Sequence, residues 1–502
     1  MSLSPADLRE LRALLGDEGV LASDAAMFTY ESDALVLEKH RPDVVVLPRS
    51  TDEVAAIVRW AAARGVPVTA RGAGTGLAGG STPEHGGIVL SVNRMTRVLR
   101  VDAERMFAWV QPGVVNLWLS QHLAPLGLYY APDPASQQVS TIGGNVATNA
   151  GGPHCLKYGV TLNHILGIVT VLADGTVVTL GDEMPDSPDA DLAAVVVGSE
   201  GTLGIVTEIA VRLLPRPAAV KTMLFDFVTI EAACRAVSAV IATGIVPAAM
   251  EIIDRHTVGL VEAWLHLGLP LDAAGVLLIE VDGPVEGLER QVATIDRLAR
   301  ENGSRTTRIA KDETERAAIW RGRKSAFGAY GRTASGFYIM DGVVPRTRLA
   351  EALSNIYRMA AERGLEAGNV FHAGDGNLHP HILFDAGDPK QQAAALAVSH
   401  EILRMCIRMG GTISGEHGVG IEKRPMMSEL FAPADLDAMH ALRAAFDPER
   451  RLNPGKILPG GGGCGEGHDT LVAHARAAGG REGVPAQLGG RAARAGVEGP
   501  WI

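Results

Sequence analysis

The sequence predicts a two-part α+β protein. A β-α-β beginning at 43–74 leads into strands separated by long glycine-rich loops, up to about residue 216. After LLPRPAA (213–219) the texture changes to a β-α-β-β-α-β pattern, which is the ferredoxin-like order. Length and composition leave room for both parts. The chain has 502 residues, 47% hydrophobic and 21% charged, which suits two or three large globular domains.

The elements follow in chain order. MSLSPADLRELRALLG reads as a capped amphipathic helix with acids inside it, unlike a signal peptide. DVVVLPRS (43–50) is a buried strand stopped by proline. TDEVAAIVRWAAARG (51–65) is a helix with Thr51 as N-cap and Gly65 as C-cap. PVTARGAG (67–74) is a strand entering a glycine loop. GIVLSVNRM, RMFAWVQPGV and NHILGIVTVLADGTVVTL read as strands, the last with an Asp174-Gly175 hairpin turn. Strands are then expected at 220–228 and 274–282, and helices at 230–243, 286–302, 312–332, 347–364 and 388–410. FDPERRLNPGKILP (446–459) reads as a terminating loop. The last 44 residues hold 13 glycines and little apolar periodicity, so a disordered tail is expected. The expected division is 1–39, a helical segment; 40–218 and 219–430, two α+β domains; 431–459, a closing segment; and 460–502, the tail.

A net charge of −11 argues against nucleic acid or an anionic membrane as the main partner. The four cysteines, Cys155, Cys234, Cys406 and Cys464, form no CxxC pair. Neither a zinc ribbon nor an iron–sulfur cluster is encoded, and reduced thiols are expected. No apolar run reaches the roughly 18 residues of a membrane span. The expectation is a soluble cytoplasmic protein, with any membrane attachment made through a partner.

Three loops carry the first chemical signal. ARGAGTGLAGG (70–80), PDPASQQVSTIGGNVATNAGG (132–152) and GSEGTLGIVTE (198–208) combine glycine with Ser, Thr or Asn. Each offers many hydrogen-bond donors and little bulk, so backbone N–H groups can converge on phosphates. Three such loops in one domain exceed what turns require and suit a large ligand with phosphates and polar edges. The second signal is FHAGDGNLHPHI (371–382). His372 and His379 lie seven apart, but Gly374, Asp375 and Gly376 exclude a helix, so both histidines should project from extended segments around a turn. GGTISGEHGVG (410–420) adds Glu416 and His417. Two imidazoles and a carboxylate form a mixed N/O set suited to Zn²⁺, Mn²⁺ or Fe²⁺ with positions left open for substrate.

The three glycine loops resemble the FAD-binding loops of the vanillyl-alcohol oxidase (PCMH-type) flavoprotein superfamily. FHAGDGNLH, GGTISGEHGVG and DPERRLNPGKI resemble its FAD-linked 2-hydroxyacid dehydrogenase branch, in order from about residue 20 to 459. That branch includes D-lactate and D-2-hydroxyglutarate dehydrogenases and the FAD subunit of glycolate oxidase. GGPHCLKYG, IWRGRKSAFGAYGR, MDGVVPR and NVFHAGDGNLHPHILFD are most similar to the last of these.

The resemblance implies a PCMH-type FAD-binding domain over 40–218, a substrate (cap) domain with the metal site over 219–430, and a C-terminal segment closing on the cofactor. It implies that Arg71, Gly72, Ala73, Gly74, Thr75, Gly76 and Leu77 cradle the pyrophosphate. Pro132, Asp133, Ser136, Thr141, Gly144, Asn145 and Thr148 would line the flavin and ribityl region. Glu200, Gly201, Gly204, Ile205 and Val206 would hold the adenine end, and Asn453 would fold back onto the flavin. The pyrophosphate loop has no histidine, so FAD is expected to be noncovalent. His154 and Cys155 are expected to serve packing or to stand behind the site.

The resemblance also makes His372, His379 and Glu416 ligands of a divalent metal, His417 the general base and Arg323 the binder of the substrate carboxylate. The expected reaction is oxidation of a small 2-hydroxy acid, glycolate or D-lactate, with hydride passing to flavin N5. Electrons would leave to a second FAD-type subunit and an iron–sulfur subunit, or to a quinone. Tyr338 stands where dicarboxylate enzymes carry a lysine, and His381 where they carry asparagine. Phe327, Tyr338 and His381 are therefore expected to shape a pocket for a two- or three-carbon acid. MDGVVP (340–345) is expected to be structural, and Asp375 either a turn former or a partner of a ligand histidine.

Overall fold

Short valine-rich runs punctuated by proline and glycine set the first sheet. In the computed structural model, which describes residues 3–183 and 191–460, these are Val20–Leu21 (β1), Val44–Val46 (β2), Val68–Arg71 (β3) and Ile88–Ser91 (β4). Their order is β1-β2-β4-β3, with β2 and β3 parallel to β4. The helix Thr51–Ala62 buries Val54, Ile57 and Val58 in the apolar cluster that holds this sheet. Its N-cap is Ser50, not Thr51: Ser50 is extended and its Oγ accepts from Glu53 N–H at 3.2 Å. The Thr51 hydroxyl bonds Thr207 instead. The cap residue at the other end is Ala63, and Gly65 follows in the left-handed conformation.

The next strands are Val98–Asp102 (β5), Phe107–Val110 (β6), Leu128–Tyr129 (β7), Ile165–Val171 (β8), Val177–Gly181 (β9), Ile205–Arg212 (β10) and Leu214–Pro215 (β11). Five make an antiparallel sheet, β5-β6-β10-β8-β9, while β7 pairs with β11. The glycine loops are the connections out of β3, between β7 and β8, and into β10.

The second part is built on Ala219–Phe227 (β12), Ala249–Asp254 (β13), Gly275–Gly283 (β14) and Ser304–Ile309 (β15), in the order β15-β12-β14-β13. This is the ferredoxin-like order, with a further helix, Arg255–Leu265, between its second and third strands. Beyond β13 the sheet continues through Gly336–Ile339 (β16), Gly342–Val343 (β17), Glu366–His372 (β18), Asn377–Leu378 (β19) and Pro380–Phe384 (β20); β18 pairs with β13 and β20 joins β16 to β18.

Alternation along these strands sorts two faces. Met223, Phe225, Met250, Ile252, Leu277 and Ile279 pack with the helices Ile230–Ile241 and Val285–Glu301. Leu224, Ala249, Ile253, Val276 and Leu278 pack instead with Ile319 and Trp320. The single helix expected over 312–332 is two, Glu313–Lys324 and Ala326–Tyr330, broken where Ser325 tightens the turn. Among the described residues no helix is long and apolar enough to cross a membrane. The tail from 461 and Cys464 lie outside the described residues.

Among the carboxylates on the second face are Glu251 on β13 and Glu280 on β14. Arg316, Trp320 and Arg323 recur at i, i+4 and i+7 on one face of their helix and meet them. Arg316 and Trp320 Nε1 (2.6 Å) donate to Glu280, and Arg323 Nε donates to Glu251 at 2.5 Å. Glu280 also reaches His154 Nε2 at 3.2 Å, while His154 Nδ1 lies 2.9 Å from Asp133. His154 thus sits between a carboxylate of each part. Burial alone would lower its pKa, but the Asp133 charge and the bonds to both carboxylates outweigh burial and raise it to about 10.

A histidine whose pKa rises on folding stabilises the fold fully below its unfolded value, near 6.5, and loses that contribution as pH climbs through about 10. His154→Gln should therefore lower the melting temperature most at pH 6, with the gap to wild type closing by pH 10. A gap that stays constant over that range would exclude a protonated bridge.

Candidate active site

The three glycine loops line one cavity of about 660 Å³, a size suited to a large organic ligand. All seven predicted residues from Arg71 to Leu77 stand on its wall, with Ser136, Thr141, Gly144, Asn145, Thr148, Glu200, Gly201, Gly204, Ile205 and Val206. Gly74 has φ +72°, and a Cβ there would run into the Arg71 guanidinium. Arg71 is held below the loop by a 2.7 Å bond to the Ser32 carbonyl and by the ring of Tyr30. Ser140, also on the wall, has a buried hydroxyl with no partner among the described residues. A cradle of backbone N–H groups with a spare hydroxyl fits the phosphates and polar edges of FAD.

Three predicted cofactor residues do not line the cavity. Asp133 is engaged by His154, and the Pro132 carbonyl accepts from Asn116. Asn453 is fully buried behind the wall, where its Nδ2 donates to the carbonyls of Gly80 and Glu200, both at 2.7 Å. It braces two loops from the rear. Glu200 has its own second task. Its carboxylate accepts from the amides of Val419 (2.7 Å) and Gly420 (3.0 Å), tying the cofactor domain to the glycine-rich 410–420 segment.

Asp341 holds the same segment from the other side. It accepts from the Ser414 hydroxyl (2.7 Å), the amides of Glu416 and His417, and Lys423 Nζ (3.0 Å). Lys423 and Asp341 are both fully buried. Despite burial, the charges of His417, which is protonated in acid, and of Lys423 keep the Asp341 carboxyl well below its usual range. The MDGVVP segment is structural in this sense, because it sets where Glu416 and His417 stand.

The histidine stretch forms the predicted turn. His372 ends β18, His379 precedes β20, and Asp375 Oδ1 accepts from Asn377 N–H, the turn-forming role. His372 Nε2 and His379 Nε2 lie 3.0 and 2.9 Å from the same Glu416 oxygen. Donor atoms about 3 Å apart match neighbouring ligands around an ion held at about 2.1 Å. Burial opposes charge on His372, yet Glu251 and Glu416 on either side raise its pKa well above normal. The site therefore calls for positive charge, and the donor set fits a divalent metal. Ligand atoms of Asp341, His379, Glu416 and His417 also lie within 4.8 Å of one another. Asp341 already accepts from four partners, all of them holding the 414–423 stretch, whereas His372 and His379 both face Glu416.

His417 is on the cavity wall beside Glu416, and its ring stacks on His379 at 5.1 Å. Burial pushes it down to about 4 against the pull of Asp341, so its imidazole is neutral and able to take a proton. Arg323 is buried behind the wall with Nε on Glu251; its neighbours Lys324 and Ser325 reach the cavity. Phe327 lines the cavity and meets Phe337 edge-on at 5.1 Å.

Tyr338 is a correction. It opposes Ile382 in the ladder and lies in the apolar core. One position earlier, Phe337 shares a face with His381 and lies 6.0 Å from it. A strand's period of two puts neighbours on opposite faces. His381 stacks on Tyr330 at 4.2 Å and donates Nδ1–H to the His379 carbonyl, which places it behind the pocket. Glu251, Glu280 and Asp341 were missed. Glu251 and Glu280 each carry a legible signal, an acid set within an apolar run before the strand's last acid (AMEIID, GVLLIEVDG).

Comparison with known proteins bears on the family and the fold. A model of an FAD binding domain matches residues 42–181, and one of the C-terminal domain of FAD linked oxidases matches 216–457. The chain is 44% identical to the glycolate oxidase subunit GlcD of Escherichia coli (strain K12), over 88% of each chain. It is 33% identical to a D-lactate dehydrogenase of Anaerostipes hadrus, over 89% of this chain and 94% of that one. Its fold resembles p-cresol methylhydroxylase with substrate bound, with TM-score 0.79 at 18% identity, over 91% of this chain and 98% of that one.

Asp341→Ala would leave Lys423 an uncompensated buried cation and untie the 414–417 segment. The expected loss is about 3–5 kcal/mol of stability in urea unfolding. An unchanged unfolding midpoint would remove Asp341 from the role described.

Proposed function

The chain belongs to the family of FAD-linked oxidases, and from that premise we propose that it oxidises a small 2-hydroxy acid, glycolate ahead of D-lactate, to the 2-oxo acid. The observation that carries the reading is the meeting of two chemistries at one wall. Glu416 and His417 face the same cavity that the three glycine loops line. The names of the relatives at 44% and 33% identity support the substrate class. A stand-alone D-lactate dehydrogenase is the alternative, on the same evidence.

Bound noncovalently, FAD supplies the two-electron acceptor, and a divalent ion (zinc, manganese or iron) supplies Lewis acidity at the substrate hydroxyl. His372, His379 and Glu416 would hold the ion. Arg323 is the cation assigned to the substrate carboxylate; only its Nε is occupied among the described hydrogen bonds. His417 takes the hydroxyl proton on its imidazole. Its ring is fixed for this by stacking on His379, and its backbone by the 2.8 Å bond from its amide to Asp341. Phe327, on the cavity wall and held edge-on by Phe337, would limit the length of the acid on the cap side.

Electrons would pass to a second FAD-type subunit and an iron–sulfur subunit, or to a quinone. The spacing of this chain's cysteines supports an external acceptor. The setting would be cytoplasmic, with attachment to the inner face of the membrane through those partners.

The purified protein should absorb near roughly 370 and 450 nm, as a bound flavin does, and glycolate should bleach it anaerobically. Stronger bleaching by D-lactate across a panel of D- and L-hydroxy acids would favour the alternative. His417→Ala should keep its flavin and reduce it about 10²–10⁴-fold more slowly. Reduction at the wild-type rate would end the assignment of the base.

A further inference from the structure

Glu251 is the one charged residue among the first five of β13, between Met250 and Ile252, and it is fully buried. The ladder places it directly opposite His372. Its Oε1 accepts from His372 Nδ1–H at 2.7 Å, and its Oε2 accepts from Arg323 Nε at 2.5 Å. Both partners are themselves buried, with side chains 6% and 7% exposed. A buried ion pair is a poor stabiliser compared with apolar packing, because desolvation offsets the attraction. Fold stability alone is therefore a weak reason for three ionisable groups at this depth.

We propose that Glu251 is a positioning residue that links the cation site to the substrate-carboxylate site, an inference that rests on the function proposed above. One oxygen fixes the tautomer of His372, so that Nε2 is the nitrogen presented beside Glu416. The other oxygen fixes the Arg323 guanidinium through Nε and leaves its terminal nitrogens for a carboxylate, whose planar fork they match. Because one carboxylate serves both, the two sites are coupled. A cation at His372 Nε2 makes Nδ1–H a stronger donor and draws the Glu251 charge towards it. The hold on Arg323 then slackens, and its charge becomes more available to substrate. Coupling of this kind is reciprocal, so carboxylate binding tightens cation binding by the same factor.

The test compares flavin-loaded wild type with Glu251→Gln and Glu251→Asp. Zinc affinity is measured by chelator competition. Acetate, a carboxylate with no hydroxyl to chelate, is titrated by its effect on the flavin spectrum, with zinc present and after zinc removal. In wild type, zinc should tighten acetate binding. In Glu251→Gln, zinc affinity should fall about 10–100-fold, acetate should bind more weakly, and the zinc effect on acetate should vanish. Glu251→Asp keeps the charge but not the reach, so it should fold like wild type while losing the coupling; it also serves if the Gln variant does not fold. Unchanged zinc and acetate affinities in a folded variant, even with a lower melting temperature, would overturn the linkage and leave the proposed reaction standing. A wild type that binds no zinc, manganese or iron would instead defeat the metal-dependent reading itself.

Discussion

Two buried carboxylates hold the segment on which the site depends. Glu200, from the cofactor domain, accepts from the amides of Val419 and Gly420; Asp341, from the cap, accepts from those of Glu416 and His417. Between them they fix a stretch rich in glycine that has no regular structure of its own. Glycine is needed here: Gly420 has φ +54°, and a Cβ would run into the Ala78 carbonyl. The low bulk that lets 415–420 lie against both domains also deprives it of packing. Charge-assisted bonds to backbone amides supply the order that side chains cannot.

The same arrangement recurs one layer deeper. Glu251 and Glu280 lie on adjacent strands and project from the face that receives the helix Glu313–Lys324. That helix meets them with Arg316, Trp320 and Arg323, so its rotation about its own axis is fixed by charge as well as by packing. Lys324 and Ser325 then follow at the cavity wall. His154 extends the pattern across the domains, with Asp133 on one side and Glu280 on the other. Acids and bases alternate through this layer, and each buried charge has a partner, as burial requires.

Much of this was legible in the sequence, and the reason differs from element to element. The glycine loops were readable because a phosphate cradle limits side-chain size at many consecutive positions. The His372–His379 pair was readable because a Gly-Asp-Gly turn admits few paths. The placement of Tyr338 was not readable, since a strand assigned without its partner has two possible registers and each reverses every side chain. Phe337 faces His381 because Ile339, not Tyr338, opposes it in the ladder. Asn453 was legible as a residue that matters and misleading as to how. Glu251 was visible as an acid inside an apolar run, but its partners lie 72 and 121 residues away, and no local pattern names them.

The C-terminal loop shows why the chain must return to its first domain after building the second. Leu452 bridges Val68 in parallel, continuing the edge of the first sheet at β3. Asn453 then clasps the carbonyls of Gly80 and Glu200, and the buried Lys456 donates to the Thr82 carbonyl at 2.7 Å. Arg424 ties the loop to Glu84, bonding that carboxylate and the Gly455 carbonyl together. The Asn453 and Lys456 contacts fall on wall residues or their neighbour, Gly80, Glu200 and Thr82. A wall made of glycine loops has few apolar side chains to anchor it, so donors brought from elsewhere must satisfy its carbonyls. The loop supplies them from a part of the chain free of any duty to the ligand. The front of each loop is thereby left to the cavity, where small residues let a phosphate approach the backbone.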